Sequence, residues 1–180
     1  MDILEKERLI LLPWKATDSK DFFEYAKSPT LGPQAGWKPH ADESESKKVI
    51  FDFIRAKDTW AIELKGENKV IGSISLHAPV HNEIQYDVEL GYVVSQAYQN
   101  RGYATEACQR MVRYAFEYYM IRNLMSCHID GNNSSKRVLE KCGFRYLKHF
   151  EHFLKRWDGI RVNAEVFMMN IVDFERNYKR

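Results

Sequence analysis

A chain of 180 residues, 44% of them hydrophobic, is long enough for one well-buried core and short for two, so a single domain over residues 1–180 is expected. Its 27 basic and 25 acidic residues leave a formal charge of +2 with Lys and Arg scattered, which argues against nucleic acid or a membrane surface as the main partner. Cys108, Cys127 and Cys142 are odd in number and sit in apolar patterns, which predicts buried thiols in a reducing compartment rather than a disulfide framework.

Near the N-terminus Asp2, Glu5, Lys6, Glu7 and Arg8 interrupt the opening apolar residues, so no signal peptide is expected. No run is apolar for long enough to span a bilayer, and a cytoplasmic location is the resulting expectation. Arg8 to Pro13 reads as a first strand, and Lys15 to Lys27 as a helix that Thr17 or Asp18 can cap. From Ser28 to Ala41, Pro29, Gly32, Pro33, Gly36 and Pro39 surround Trp37 and predict a long irregular loop. Such a loop is either a plain surface connection or a wall of a site. Asp42 to Lys57 reads as a helix with Val49, Ile50, Phe53 and Ile54 on one side. Trp60 to Leu64 and Val70 to Leu76 read as strands joined by the polar hairpin connection Lys65 to Lys69.

Tyr86 to Val94 is expected to form a central strand, and its interior Gly91 marks a bulge or a close approach by another backbone or a ligand. The stretch Tyr98 to Ala107 then joins that strand to an amphipathic helix through a glycine turn. Ala104, Ala107, Cys108, Met111, Val112, Ala115, Phe116 and Tyr119 fall on one helical face, and Thr105, Glu106, Gln109, Arg110, Arg113 and Glu117 on the other. Leu124 to Ile129 reads as a strand and Asn133 to Lys141 as a short helix closed by Gly143. Phe144 to Leu154 and Val162 to Ile171 read as final strands around Trp157-Asp158-Gly159, and there is no internal repeat or low-complexity tract. The predicted order is β-α-α-β-β-β-α-β-α-β-β, an α/β (α+β) fold.

The glycine turn carries the chemistry. The first amides of a helix lack intrahelical acceptors and sit at the positive end of the helix dipole, so an anion there gains several hydrogen bonds at once. Gly102 lets the backbone come close to such a ligand, and Ala104 keeps the next approach small. Taken alone, a glycine turn before a helix is equally an ordinary connection. However, Gln99-x-x-Gly102-x-Ala104 resembles the acyl-CoA pyrophosphate signature of the GNAT superfamily of N-acetyltransferases. Asn132-Asn133-Ser134-Ser135, followed by Arg137-Val138-Leu139-Glu140-Lys141-Cys142-Gly143-Phe144, resembles the signature of the ribosomal-protein-alanine N-acetyltransferase branch. The similar features run from about Glu7 to about Asp173, nearly the whole chain.

The resemblance implies a mixed, mostly antiparallel sheet flanked by helices, with middle strands that splay to admit the pantetheine arm of acetyl-CoA. It places the backbone of Val93 and Val94 along the pantetheine amides. Gln99, Asn100, Arg101, Gly102, Tyr103, Ala104 and Thr105 fall around the pyrophosphate, Asn132 on the CoA arm and Arg137 within reach of a phosphate. Asn132 is equally a helix cap. Ser135 falls near the thioester sulfur as a donor to the leaving thiolate. Many relatives carry a Tyr general acid four residues further on, where this chain has Leu139, so Ser135 or water is expected to serve instead. Glu89 is the expected general base, acting through water, and its structural alternative is a pairing partner for a substrate amine or an Arg. Trp37, His77, Asp87 and Tyr92 are the candidate lining of the acceptor pocket, with Trp157 a further aromatic.

The six His residues show no tight spacing with Cys or Asp, so no metal site is expected. The leading expectation is an acyltransferase that moves an acetyl group from acetyl-CoA to a primary amine, a protein N-terminus above all. A polyamine or aminoglycoside acceptor is the competing enzyme reading, and a polyamine would favour an acidic pocket from Asp87, Glu89, Asp42, Glu43 and Glu45. A non-catalytic acyl-CoA sensor is the alternative of another class. The apolar final strands offer an edge through which a homodimer would form.

Overall fold

The computed structural model describes residues 1–179 and contains eight strands and six helices. In chain order they are β1 (Leu4–Glu5), β2 (Leu9–Pro13), α1 (Ser19–Ala26), α2 (Leu31–Ala35), α3 (Glu43–Ala56), β3 (Thr59–Leu64), β4 (Lys69–His77) and β5 (Val88–Val94). They continue with α4 (Tyr103–Glu117), β6 (Asn123–Ile129), α5 (Asn133–Lys141), β7 (Arg145–Lys155), β8 (Arg161–Asn170) and α6 (Ile171–Tyr178). The strands make one sheet in the order β1-β2-β3-β4-β5-β6-β8-β7. Every neighbouring pair is antiparallel except β5 and β6. No helix among the described residues is long and apolar enough to cross a membrane.

Side chains alternate across a strand, and this alternation divides the apolar residues between two layers. Leu9, Leu11, Ile62, Leu64, Leu90 and Val94 pack with Met111, Val112, Phe116 and Leu139 from α4 and α5, and with Phe174 from α6. The opposite face carries Ala61, Val70 and Val93 beneath Phe22, Tyr25 and Ile50 of α1 and α3. Beyond β5 a third cluster joins Tyr86, Met125, Phe153, Ala164 and Val166. The cysteines are free thiols, with Cys108 and Cys142 buried and Cys127 half-buried.

Local chemistry fixes the helix ends. Asp42 accepts from Glu45 N at 2.9 Å while Glu45 Oε2 accepts from Ala41 N at 2.7 Å, so α3 starts inside a reciprocal cap. Asn132 Oδ1 accepts from Ser135 N at 3.1 Å at the head of α5. Inside the stretch expected to be irregular the chain forms α2. Ser28 Oγ accepts from Leu31 N at 3.1 Å, Pro33 sits in the first turn where no amide is needed, and Gly36 closes the helix at φ 95°. The last strand stops at Asn170, whose side chain accepts from Asp173 N at 2.9 Å and starts α6, a helix that the apolar pattern at Ile171 and Phe174 concealed.

Two assignments on α4 are corrected by its neighbours. Glu106, expected on the solvent face, is buried because Arg8 covers it, and Tyr119, expected in the core, lies past the helix end and is half exposed.

The middle of the sheet forks. β5 and β6 are in register only at Val88 with Leu124 and at Glu89 with Met125. Below the fork Asp87 Oδ2 accepts from Arg122 N at 2.7 Å and Asn123 N at 2.8 Å, which stitches the strands together. At the crotch Ser126 Oγ donates to Leu90 O at 2.8 Å. From Gly91 onward β5 keeps its β4 partner and has no registered β6 partner, leaving one row of backbone groups without a strand partner along the cleft.

Candidate active site

One side of the fork leads to the glycine turn. β5 ends in a 3₁₀ turn at Gln96–Tyr98, and the chain then curls through two left-handed residues, Asn100 at φ 61° and Gly102 at φ 84°. Gln99 Nε2 donates to Val94 O at 3.0 Å and ties the turn to the strand. Gly102 is the N-cap of α4, and no side chain caps the first amides. Those amides and the concave loop are therefore a fitting cradle for a diphosphate. Arg8 braces the turn from outside: its backbone N and its Nε donate to Glu106 at 2.8 and 2.7 Å, and its Nη1 donates to Arg101 O at 3.0 Å. Beside the brace lies a cleft of about 320 Å³ lined by Lys6, Arg8, Gly102, Thr105, Gln109 and Lys141, among others. Arg137 is exposed on α5.

On this same face Tyr92 of β5 reaches the head of α5. Its Oη lies 2.7 Å from Ser135 Oγ and donates to Ser135 O at 3.0 Å. Tyr92 was expected in the acceptor pocket; strand alternation turns it to the opposite face, into the layer with α4 and α5. Burial, and next to it the Cys108 thiol, push the Tyr92 phenol above its ordinary range, so it stays protonated. When the phenol gives its one proton to Ser135 Oγ instead of Ser135 O, the Ser135 hydroxyl is free to donate onward. Leu139 is fully buried in the core and takes no part in the cleft.

The other face of the fork carries Glu89, Gly91 and Val93. Glu89 is half-buried between β6 and the 78–87 loop: Cys127 Sγ donates to its Oε1 at 3.5 Å, and His81 Nε2 lies 3.9 Å from its Oε2. Burial, reinforced by the Glu89 carboxylate, raises the Cys127 thiol well above its ordinary value, which makes it a neutral donor rather than a nucleophile. His81 stacks on Phe153 with ring centroids 4.0 Å apart, and the His81 and Val80 amides donate to Tyr86 Oη. A β-carbon at Gly91 would lie 2.8 Å from Ser75 Oγ, so a larger residue here would have to displace the Ser75 hydroxyl between β4 and β5. His77 projects over the same spot from β4 and is the register partner of Glu89. Nothing in the sequence near Glu89 marks His81 or Cys127 as its neighbours, because both arrive through folding.

α2 and Trp37 wall this face. The Trp37 indole lies on Gly32, where a β-carbon would be 2.8 Å from its Nε1. Gln96 Nε2 donates to Thr30 Oγ1 at 2.8 Å and Ser28 Oγ donates to Gln96 Oε1 at 3.2 Å, which links the wall to the phosphate-side turn. Asp87 does not join the pocket, since its carboxylate is committed to the Arg122 and Asn123 amides. Trp157 stands exposed at the tip of the β7–β8 hairpin. Asp42 and Glu45 cap α3 and Glu43 accepts from Ser19 Oγ, so the acidic run is structural. Among the described residues no group of three or more His, Cys, Asp or Glu is placed to hold a metal ion.

Comparison with known proteins agrees with this geometry. A model for the acetyltransferase (GNAT) domain matches residues 8–145. A Bacillus subtilis (strain 168) protein named "Putative ribosomal N-acetyltransferase YdaF" is 31% identical over 59% of this chain and 58% of its own length, so this chain aligns with little more than half of that relative. Another from the same organism, "Uncharacterized N-acetyltransferase YjdG", is 27% identical over 87% of this chain and 97% of its own. The crystal structure of a GNAT-family acetyltransferase from Bacillus anthracis shares the fold with a TM-score of 0.82 at 22% identity, covering 94% of this chain and 98% of that one. A ribosomal-protein-S5-alanine acetyltransferase from Vibrio fischeri superposes with a TM-score of 0.73 at 18% identity, covering 94% and 97%. The chain belongs to the GNAT acetyltransferase family, whose members draw on acetyl-CoA, and it is an N-acetyltransferase.

Proposed function

We propose that this chain, acting as one domain in the cytoplasm, transfers an acetyl group from acetyl-CoA to the N-terminal amine of a protein, as the names of its ribosomal relatives suggest. The observation that carries the reading is the fork: a phosphate-binding turn and Ser135 lie on one face of β5, and Glu89 lies on the other. In this reading the β5 edge at Val93 and Val94, which has no registered β6 partner, holds the pantetheine amides. The amides from Gln99 through Thr105 hold the diphosphate, with Asn132 and Arg137 beside the arm.

Glu89 accepts the proton of the acceptor ammonium, directly or through one water, which leaves a neutral nitrogen to attack the thioester carbonyl. The nitrogen–carbon bond forms, the carbon–sulfur bond breaks, and Ser135, held by Tyr92, donates a proton to the departing thiolate. The proton that left the ammonium ends in solvent. His77 and Ser75 line the approach of the acceptor over Gly91, with Trp37 on the same face beside Val93. Asp42, Glu43, Glu45 and Asp87 are committed to structural contacts, so the acidic pocket that a polyamine would favour does not form from them.

The test is release of free thiol from acetyl-CoA with Ala- and Ser-initiated peptides, polyamines and aminoglycosides, with CoA binding measured by calorimetry on the same sample. Turnover with the peptides alone supports the proposal. Turnover confined to small amines transfers it to that class, and CoA binding without release from any acceptor leaves a sensor.

A further inference from the structure

Beside Glu89 lies a pair that the transfer step has not used. Asp58 immediately precedes β3, and its Oδ1 accepts from the Thr59 hydroxyl at 2.9 Å. Its Oδ2 lies 3.0 Å from His77 Nδ1, at the end of β4. Thr59 is buried, so the carboxylate is oriented by a fixed group before it meets the imidazole. A carboxylate on Nδ1 selects the tautomer with hydrogen there and leaves Nε2 as an acceptor. That Nε2 lies 3.9 Å from the position a β-carbon would take at Gly91. His77 thus spans from the acceptor face to water, with its side chain 46% exposed. It is also the cross-strand partner of Glu89, and antiparallel partners hold their β-carbons about 5 Å apart.

Glu89 has few other ways to unload a proton. Its Oε1 is covered by the Cys127 thiol, a donor that burial keeps neutral, and Met125 and Phe153 of the adjoining cluster are apolar. His81 approaches Oε2 but is itself only 15% exposed and stacked on Phe153.

We propose that the Asp58–His77 pair is a proton exit for the acceptor site. It rests on the reading of Glu89 as base. After Glu89 has taken the ammonium proton, that proton passes from its carboxyl to His77 Nε2, across one water where the side chains stand apart. The carboxylate is regenerated, and His77, held through Nδ1 by Asp58, gives the proton to solvent. No bond other than those to hydrogen changes, and no oxidant or further reactant is needed. His77 acts through Glu89 and is a positioning and relay residue, with Asp58 setting its tautomer.

The experiment measures kcat and KM with acetyl-CoA and an Ala-initiated peptide for His77→Ala, Asp58→Asn, Glu89→Gln and the His77→Ala/Glu89→Gln double variant, each with and without added imidazole. The relay predicts that His77→Ala lowers kcat about tenfold with KM nearly unchanged. Imidazole in solution restores most of the loss, Asp58→Asn gives a smaller loss in the same sense, and His77→Ala costs nothing further on the Glu89→Gln background. A His77→Ala enzyme of wild-type kcat, or a loss that imidazole does not mend and that adds fully to that of Glu89→Gln, overturns the relay while leaving Glu89 as base. Full activity in Glu89→Gln overturns both. His77→Gln, which keeps the side chain's bulk, guards against a packing artefact, and the relay requires its kcat to fall as well.

Discussion

The donor side of the fork is written within short stretches of chain, Val94 to Thr105 and Asn132 to Ser135, whereas the acceptor side is assembled from α2, β4, the 78–87 loop, β5, β6 and β7. In the proposed reading the first binds a part of acetyl-CoA that is the same for every acceptor, for which backbone amides suffice. The second must match one amine, and its side chains come from separate parts of the chain. Loss of phosphate-turn groups is therefore expected to act on CoA affinity, and loss of groups at the fork, Ser135 on the donor face and Glu89 on the acceptor face, on turnover.

The largest expected effect is that of Gly102→Glu. Gly102 sits at φ 84°, a β-carbon there would lie 3.3 Å from Arg8 Nη2, and the new carboxylate would occupy the anion site. CoA affinity should fall by at least about 100-fold by calorimetry. Unchanged affinity would remove the turn from the cofactor site and the comparison with it. Glu89→Gln, on the opposite face, should lower kcat about 100-fold with CoA affinity intact. Equal turnover across pH in the variant and the wild type would take the base role from Glu89.

Tyr92→Phe sharpens the division, since it alters one hydroxyl on the donor face without touching the phosphate turn. The expected result is a fall of about tenfold in kcat with little change in CoA binding, and an equal loss in Ser135→Ala that does not add to it. Asp87→Ala tests a residue that the sequence suggests for the acceptor pocket and that is structural in the fold. It should cost about 1 kcal/mol of stability through the two freed amides, read by denaturant unfolding, with kcat preserved.

The smallest effect concerns His40 near the acceptor wall. Burial lowers its pKa from 6.5, against the opposing pull of Glu45, and its Nδ1 lies 2.8 Å from Ser46 Oγ. The folded state keeps this imidazole neutral while the unfolded chain takes up a proton, so its contribution is present above about pH 6.5 and is lost as pH falls below that. His40→Gln should flatten that part of the stability profile in thermal melts between pH 5 and pH 7, taken as a rough window.

What the sequence disclosed follows the same division. The turn at Gly102, the head of α5 and most strands depend on glycine, capping and period-two alternation within a few residues, and they are legible there. The direction of Tyr92 was legible in principle, because it differs by three in position from Glu89 and so belongs to the opposite face. The burial of Glu106 and the capping role of Asp87 were not, since each depends on a partner far away in sequence. α2 was obscured because Pro and Gly signal a break in general, yet Pro33 falls in a first turn that tolerates it. His81 and Cys127 meet Glu89 only across the fork.

The brace at Arg8 has a consequence for how the enzyme comes into being. The phosphate turn occupies a few consecutive residues, yet it is fastened to a residue 93 positions from Arg101 and 98 from Glu106. Contacts of such separation close late, after the loop entropy between them has been overcome. A nascent chain that has already formed α4 would therefore hold the motif without its fastening, and acetyl-CoA would favour the molecules in which the N-terminal strand has docked. Bound at this turn as proposed, the cosubstrate would stabilise the finished fold by mass action.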